Sequence, residues 1–215
     1  MLRLKLDNKA LLLYAITDRT WLKEKTLPEA VEEAILGGAT FIQLREKNLD
    51  YEEFLKTAGE VKAVTDKYNI PFVINDNVDV AASIDADGVH IGQSDEEIKT
   101  VREKLGFNKI IGLSAVTVEE AVKAEQSGAD YIGAGAIFNT STKLDADTVS
   151  FETLKEICDA VSIPVVAIGG ISKDNVLELI DTGIAGISVV SAIFAQDNIK
   201  NATLELLNLT KQIIK

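Results

Sequence analysis

Residues 128–132, Gly128-Ala129-Asp130-Tyr131-Ile132, carry the pattern that decides the fold. A glycine ends a helical segment, a tight turn follows, and an apolar strand begins. Looser forms of the same phrase recur at residues 38–42, 85–89 and 183–187. Repetition of this αβ turn along the chain predicts a series of βα units.

Short apolar runs accompany these turns, and they are nearly continuous in apolar residues instead of alternating. Strands of a parallel sheet that is covered on both faces have this character. The predicted strands are Leu11–Ile16, Thr40–Leu44, Phe72–Ile74, Gly88–Ile91, Ile110–Leu113, Tyr131–Ala134, Val165–Ile168 and Gly186–Val190.

Segments with helical spacing of apolar residues separate the strands. The predicted helices are Pro28–Leu36, Tyr51–Tyr68, Val78–Ile84, Glu96–Leu105, Val118–Gln126, Phe151–Val161, Asn175–Ile180 and Asn201–Ile214. Residues suited to cap helices precede several of them, namely Asp50, Ser94 or Asp95, Thr117, Ser150 and Asp174. This alternation predicts an α/β protein, a single (β/α)₈ TIM barrel over residues 1–215. A doubly wound open sheet is the alternative, but no Gly-x-Gly-x-x-Gly follows the first strand.

Charge and composition narrow the classes of function. The net charge of −12 argues against binding to nucleic acid or to a membrane surface, since both partners favour a basic face. Small phosphates remain compatible, because local cations and backbone N–H groups can hold them. The single cysteine, Cys158, allows no internal disulfide, and no signal peptide or membrane-spanning run is predicted. A cytoplasmic location is the resulting expectation.

A cluster of polar side chains lies at the carboxyl end of the second predicted strand, which is the end where barrel enzymes have their active sites. Gln43, Arg45 and Lys47 share one face of an extended segment. An arginine fork and a lysine charge suit the oxygens of a diphosphate. A solvated charged loop is the alternative interpretation.

Acidic residues follow the third and fourth predicted strands. Asp76 comes after Asn75, and Asp95 lies in the loop that follows the fourth strand. Two carboxylates, together with diphosphate oxygens and water, would form the all-oxygen site that Mg²⁺ prefers. Either carboxylate could instead cap the helix that follows it.

The loops after the last three strands are candidates for a phosphate site. Thr140-Ser141-Thr142-Lys143 offers hydroxyl, backbone N–H and ammonium donors, although a flexible polar loop would have similar composition. Gly169-Gly170 ends the seventh strand, and Val190-Ser191 begins a short helical segment after the eighth. Barrels often bind phosphate in this region.

His90 is the only histidine. A zinc site with two or three histidines is therefore excluded, and any Ser-His-Asp triad would have to centre on His90. The side chain points either into the barrel or toward the helices, and the favoured interpretation is a hydrogen-bonded role, either structural or in support of neighbouring site residues.

Seven strand-end motifs together resemble the thiamine phosphate synthase family. They span roughly Leu13 to Phe194 in the family's order. The motifs are Gln43-Leu44-Arg45-Glu46-Lys47, Ile74-Asn75-Asp76, Asp87-Gly88-Val89-His90-Ile91-Gly92-Gln93, Gly112-Leu113-Ser114, Phe138-Asn139-Thr140-Ser141-Thr142-Lys143, Ala167-Ile168-Gly169-Gly170-Ile171 and Val189-Val190-Ser191-Ala192-Ile193.

The resemblance implies a transferase of thiamine biosynthesis. It would join 4-amino-2-methyl-5-(diphosphooxymethyl)pyrimidine to 4-methyl-5-(2-phosphooxyethyl)thiazole, with diphosphate leaving before the thiazole nitrogen attacks. Residues implied to bind the pyrimidine diphosphate are Gln43, Leu44, Arg45, Glu46, Lys47, Asn75, Ser114 and Lys143, of which Arg45, Lys47 and Lys143 would be catalytic. Residues implied to bind the thiazole phosphate are Thr140, Ser141, Thr142, Gly170, Val190 and Ser191. Asp76 and Asp95 would hold Mg²⁺, and a homodimer is plausible on the family resemblance alone.

Two departures and two rival functions accompany the resemblance. Many family members have proline where this chain has Ala136, and a second lysine or a Lys-Asp pair after the loop lysine, where Leu144-Asp145 stands here.

A related thiazole tautomerase group uses a histidine at the position of Val116. A non-catalytic sensor of phosphate ligands is the other rival, and the pair of metal-binding carboxylates argues against it.

Overall fold

In a computed structural model, which describes residues 6–93, 95–140 and 148–214, eight parallel strands close into a barrel. Each strand pairs with the next one in sequence, and β8 pairs with β1. The strands are β1 Leu13–Ile16, β2 Phe41–Leu44, β3 Phe72–Asn75, β4 Gly88–Ile91, β5 Ile110–Ala115, β6 Tyr131–Ala134, β7 Val165–Ile168 and β8 Gly186–Val189. The closed order confirms the predicted (β/α)₈ barrel and excludes the doubly wound sheet.

Helices connect most of the strands and surround the barrel. They are α1 Leu27–Leu36, α2 Tyr51–Tyr68, α3 Val78–Ser83, α4 Ile98–Leu105, α5 Val118–Ser127, α6 Phe151–Ala160, α7 Ser191–Phe194 and α8 Ile199–Ile213. Local sequence fixes several helix starts. Thr26 and Glu29 form a reciprocal capping box at α1, and Asp50, Thr117 and Ser150 accept backbone N–H bonds at α2, α5 and α6.

Alternate strand residues face two different apolar layers. Leu13 and Ile42 belong to the large core between the barrel and its helices. Tyr14, Phe41 and Tyr131 belong to a smaller core inside the barrel. The alternation follows from the two-residue period of a strand, and it determines which side chains can reach a site inside the barrel.

Three elements differ from their predicted form. The segment predicted as a helix at Asn175–Ile180 contains only a 3-10 helix, Val176–Leu179, with no side-chain cap. Helix α4 begins at Ile98 after Glu97, so Asp95 does not cap it, and Ser94 lies outside the described residues. Leu11 lies in a 3-10 helix, Asn8–Leu11, and packs into the core inside the barrel instead of starting β1.

A buried ion pair joins elements at the amino-terminal end of the barrel. Arg102 Nη2 lies 2.6 Å from Asp130 Oδ2, and both side chains are 10% exposed. The same carboxylate oxygen accepts the N–H of Ile111, and the guanidinium also donates to the carbonyls of Gly128 and Lys109. This cluster, here called the Arg102 clamp, ties α4 to the starts of β5 and β6.

Within the described part of the chain, no helix combines the length and the apolar character required to cross a membrane.

Candidate active site

A cavity of about 510 Å³ opens at the carboxyl ends of the strands. Most of the predicted site residues line it, and they come from separate βα units. Those that line it are Gln43, Arg45, Lys47, Asn75, Asp76, Asp95, Ser114, Thr140, Gly170, Val190 and Ser191. The barrel therefore brings basic, acidic and neutral polar groups to one pocket, as a phosphorylated ligand with a metal would require.

Two predicted residues of the β2 segment do not line this cavity. Leu44 is fully buried in the core between barrel and helices, because its side chain points outward where Gln43 points inward. The carboxylate of Glu46 is held by Arg19, whose Nε lies 2.9 Å from both oxygens and whose Nη2 lies 2.7 Å from Oε1. The hydrogen bond to Glu46 also raises the pKa of Arg19. Any ligand contact of Leu44 would have to come through its backbone.

Three further predicted residues, Ser141, Thr142 and Lys143, lie outside the described residues.

Arg45 and Lys47 supply positive charge to the cavity. The backbone N–H of Arg45 donates to Thr17 Oγ1 at 3.1 Å, which fixes the chain as it leaves β2. Its guanidinium forms no ion pair with any described residue. Lys47 Nζ lies 3.1 Å from Asp76 Oδ2. The guanidinium is thus available for an anionic ligand, and the lysine links the basic strand end to the acidic one.

Asp76 adopts an uncommon backbone conformation at the end of β3. Its φ is 60°, in the left-handed region that costs a non-glycine residue on the order of 1–2 kcal/mol. Its N–H donates to the carbonyl of His90 at 2.9 Å. The neighbouring Asn77, not Asp76, caps α3. Asp76 therefore does not cap the helix, and it lines the cavity.

Asp95 provides the second carboxylate. Its Oδ2 accepts the N–H of Gly92 at 2.5 Å, which holds the loop after β4 in a tight turn. No group of three or more His, Cys, Asp or Glu side chains that could hold a metal occurs among the described residues. A Mg²⁺ site does not need one, because this ion usually keeps several waters and is bound by one or two carboxylates together with substrate phosphates. The donor chemistry of Asp76 and Asp95 fits such an ion.

The loops after β6 and β7 are packed backbone against backbone. The N–H groups of Ile137 and Phe138 donate to the carbonyls of Ile168 and Gly169, each at 3.0 Å. Gly170 has a φ of 65°, and a Cβ there would lie 2.4 Å from the carbonyl oxygen of Asn139. Only glycine allows this approach, which holds the segment leading to Thr140 at the cavity rim. The peptide bond between Gly135 and Ala136 is cis.

His90 points into the barrel, which decides between the two orientations left open by the sequence. Its Nδ1 lies 2.9 Å from Tyr131 Oη, and its Nε2 lies 2.9 Å from Ser114 Oγ. Burial lowers the pKa of His90 to about 4, against a weaker opposing effect of the negative charge of Asp95. The imidazole is therefore neutral near pH 7.

Sequence reasoning missed several polar residues of the cavity. Tyr14 lines it and lies 2.9 Å, hydroxyl to hydroxyl, from Tyr131. Gln93 lines it and donates to the carbonyl of Ser114 at 2.7 Å. Ser188 lines it with a buried hydroxyl that has no partner among the described residues. The inward orientation of Tyr14 and Ser188 depends on strand register, which the apolar pattern alone does not give.

The family profile described as thiamine monophosphate synthase matches residues 13–193. The chain belongs to this family. The thiamine-phosphate synthase of Clostridium tetani is 53% identical over 194 residues, covering 90% of this chain and 93% of the relative. That of Ruminiclostridium cellulolyticum is 53% identical over 197 residues, covering 92% of this chain and 94% of the relative.

A solved structure of thiamine phosphate pyrophosphorylase from Pyrococcus furiosus superimposes with a TM-score of 0.89. It is 42% identical in sequence, and the match covers 97% of this chain and 99% of that one. Membership of the thiamine monophosphate synthase family confirms the resemblance carried by the strand-end motifs. It also identifies the chain as a transferase of the synthase type.

Proposed function

We propose that this chain condenses 4-amino-2-methyl-5-(diphosphooxymethyl)pyrimidine with 4-methyl-5-(2-phosphooxyethyl)thiazole to give thiamine phosphate and diphosphate. The convergence of Arg45, Lys47, Asp76 and Asp95 on one cavity carries the proposal, together with family membership. The ligands in this proposal are two small phosphorylated molecules, with no nucleic acid or membrane involved, and the reaction is assigned to the cytosol.

The residues divide into two groups around the cavity. The pyrimidine diphosphate is assigned to the β2, β3 and β5 strand ends, where Gln43, Arg45, Lys47, Asn75 and Ser114 lie. The thiazole phosphate is assigned to the loops after β6, β7 and β8. Its proposed partners there are Thr140, Ser141, Thr142, Gly170, Val190 and Ser191, and Lys143 is proposed to reach the diphosphate.

Asp76 and Asp95 are proposed to hold Mg²⁺. When bound, this ion would neutralise charge on the diphosphate oxygens. The oxygen-only donor chemistry of the two carboxylates supports this assignment.

The positively charged side chains of Arg45 and Lys47 assist the departure of diphosphate. Negative charge accumulates on the leaving group as its bond to carbon breaks, so Arg45 and Lys47 interact with it more strongly in the transition state than in the ground state. The amino group of the pyrimidine supplies electrons to the cation that forms, so no protein nucleophile is required. The barrel walls hold the thiazole nitrogen close and keep water from the cation.

A thiazole tautomerase remains the rival to be tested. Val116, which replaces the histidine of that group, lines the cavity and cannot transfer a proton.

The direct test is a product assay. The purified protein is mixed with both substrates and MgCl₂, and thiamine phosphate and diphosphate are quantified by chromatography and mass spectrometry. Equal amounts of both products support the proposal. A sample that is folded by circular dichroism and forms neither product contradicts it, and isomerisation of the thiazole substrate instead would support the tautomerase.

A further inference from the structure

A chain of hydrogen bonds crosses the interior of the barrel from β2 to β5. Gln43 Nε2 donates to Tyr14 Oη, and the Tyr14 hydroxyl lies 2.9 Å from that of Tyr131. His90 continues the chain, with Nδ1 2.9 Å from Tyr131 Oη and Nε2 2.9 Å from Ser114 Oγ. We call these five residues the polar chain.

Four members of the polar chain are buried, and the fifth, Ser114, is half-buried. Gln43, Tyr14 and Tyr131 are at most 1% exposed, and His90 is 9% exposed. The neutral imidazole has one donor nitrogen and one acceptor nitrogen, and each hydroxyl has a single hydrogen. The direction of one bond therefore determines the direction of the next, because reversing a single member leaves a buried group unpaired.

The Gln43 amide nitrogen sets that direction. Since this nitrogen only donates, Tyr14 Oη accepts from it, and the hydrogen of Tyr14 goes to Tyr131, its other partner among the described residues. Tyr131 then donates to His90 Nδ1. His90 must carry its proton on Nε2, and it donates this proton to Ser114 Oγ.

Both ends of the polar chain line the cavity. At one end the Gln43 amide has an oxygen that accepts and, besides the N–H given to Tyr14, a second N–H that can donate. At the other end Ser114 Oγ accepts from His90, so its own hydrogen is available to donate to a ligand.

We infer that the polar chain selects the heteroaromatic substrate by its donor and acceptor pattern, with Tyr14, Tyr131 and His90 as positioning residues. This inference rests on the proposed function. A 4-aminopyrimidine matches the pattern, because its amino group donates and the adjacent ring nitrogen accepts. A pyrimidin-4-one has the reverse pattern, with a carbonyl acceptor beside a ring N–H donor.

The wild-type protein is the first test. It should use the 4-amino pyrimidine methyl diphosphate at least about 100-fold better in kcat/KM than the 4-oxo analogue, because the wrong pattern leaves buried polar groups unpaired. Discrimination below about tenfold overturns the inference. If the wild type forms no thiamine phosphate, the proposed function fails. The discrimination is then measured separately, as calorimetric binding of the two pyrimidine diphosphates.

Tyr131→Phe tests the interior of the polar chain, since it removes only the hydroxyl that joins Tyr14 to His90. The tautomer of His90 is then no longer fixed, and Ser114 can accept as well as donate. We expect KM for the aminopyrimidine to rise about tenfold and the discrimination against the oxo analogue to narrow about tenfold, as one lost hydrogen bond permits. KM for the thiazole phosphate and inhibition by inorganic diphosphate should not change.

Tyr68→Phe is the matched control, because its hydroxyl bonds to Glu32 outside the barrel. If Tyr131→Phe does not fold, Tyr14→Phe is used instead, because it interrupts the polar chain between Gln43 and Tyr131. The inference is overturned if a folded variant keeps the wild-type preference for the amino over the oxo substrate. It is also overturned if the KM values of both substrates change equally, since that result indicates a structural role only.

Discussion

The ammonium of Lys47 lies 3.1 Å from the carboxylate of Asp76, and the two residues follow the carboxyl ends of the adjacent strands β2 and β3. Their side chains are 53% and 38% exposed, so the pair contributes little to folding stability. Its significance is positional, because it joins the predicted diphosphate-binding strand end to the predicted metal-binding one.

Asp76→Asn should lower kcat at least about tenfold, equivalent to roughly 1.4 kcal/mol of activation free energy. The magnesium concentration for half-maximal rate should rise as well. Asparagine tolerates the left-handed backbone at this position, so the change removes charge without adding strain. Steady-state rates across a magnesium titration would measure both effects.

Asp79→Asn is the control for that experiment. Asp79 Oδ1 lies 3.2 Å from Lys104 Nζ at the surface, so the same substitution removes a similar ion pair away from the main cavity. An equal loss of rate in both variants would remove Asp76 from the metal site.

Arg45→Lys should raise KM for the pyrimidine diphosphate and weaken inhibition by inorganic diphosphate, each by about tenfold. The charge is retained, but the planar fork that can bind two phosphate oxygens is lost. Arg19→Lys makes the same change beside it, where the guanidinium binds Glu46. Similar kinetic effects in the two variants would mean that Arg45 has no special contact with the ligand.

Ser188→Ala should bind the thiazole phosphate several-fold more weakly while its midpoint of thermal unfolding stays equal or rises. The hydroxyl is buried with no partner among the described residues, a state that costs about 1–3 kcal/mol unless a ligand or ordered water satisfies it. Calorimetric titration and thermal denaturation give the two values. A variant that is less stable yet binds normally would indicate that the hydroxyl serves the fold.

The pH dependence of stability should carry the signature of His90. Its pKa is lowered by burial to about 4 in the folded protein, from 6.5, so the unfolded chain binds the proton first as pH falls. The stabilisation is complete above about pH 6.5 and is lost between pH 6.5 and 4. From pH 6.5 to 5 the free energy of unfolding should fall by about 1.5 kcal/mol from this group.

His90→Gln provides the comparison for that prediction, since it keeps a neutral polar side chain without a titrating group. Urea unfolding of both proteins at several pH values isolates the contribution of the imidazole. If the free energy of unfolding depends on pH in the same way in both proteins, then the pKa of His90 is not lowered by folding.

The barrel and its strand-end residues were predictable from the sequence because each depends on local pattern. Continuous apolar runs and repeated αβ turns need no knowledge of distant contacts. The short segment Asn175–Ile180 was wrongly predicted as a full helix, because its apolar spacing resembles one turn of either helix type. In the structure only Val176–Leu179 is helical, and Ile180 is 55% exposed.

The polar interior was not predictable in the same way. Tyr14 and Tyr131 meet across 117 positions of sequence, and only barrel closure brings their hydroxyls together. The ion pair of Glu46 could not be predicted for the same reason, since its partner Arg19 lies in the preceding βα loop. Such pairs depend on tertiary geometry, which a strand pattern leaves undetermined.

The Arg102 clamp lies at the end of the barrel opposite the cavity, where β5 and β6 begin. Directed evolution of new substrate preferences can therefore vary the loops at one end while this anchor is left untouched at the other. Random changes in those loops would leave the ties among α4, β5 and β6 in place. The scaffold thus offers a natural division between a region to diversify and a region to preserve.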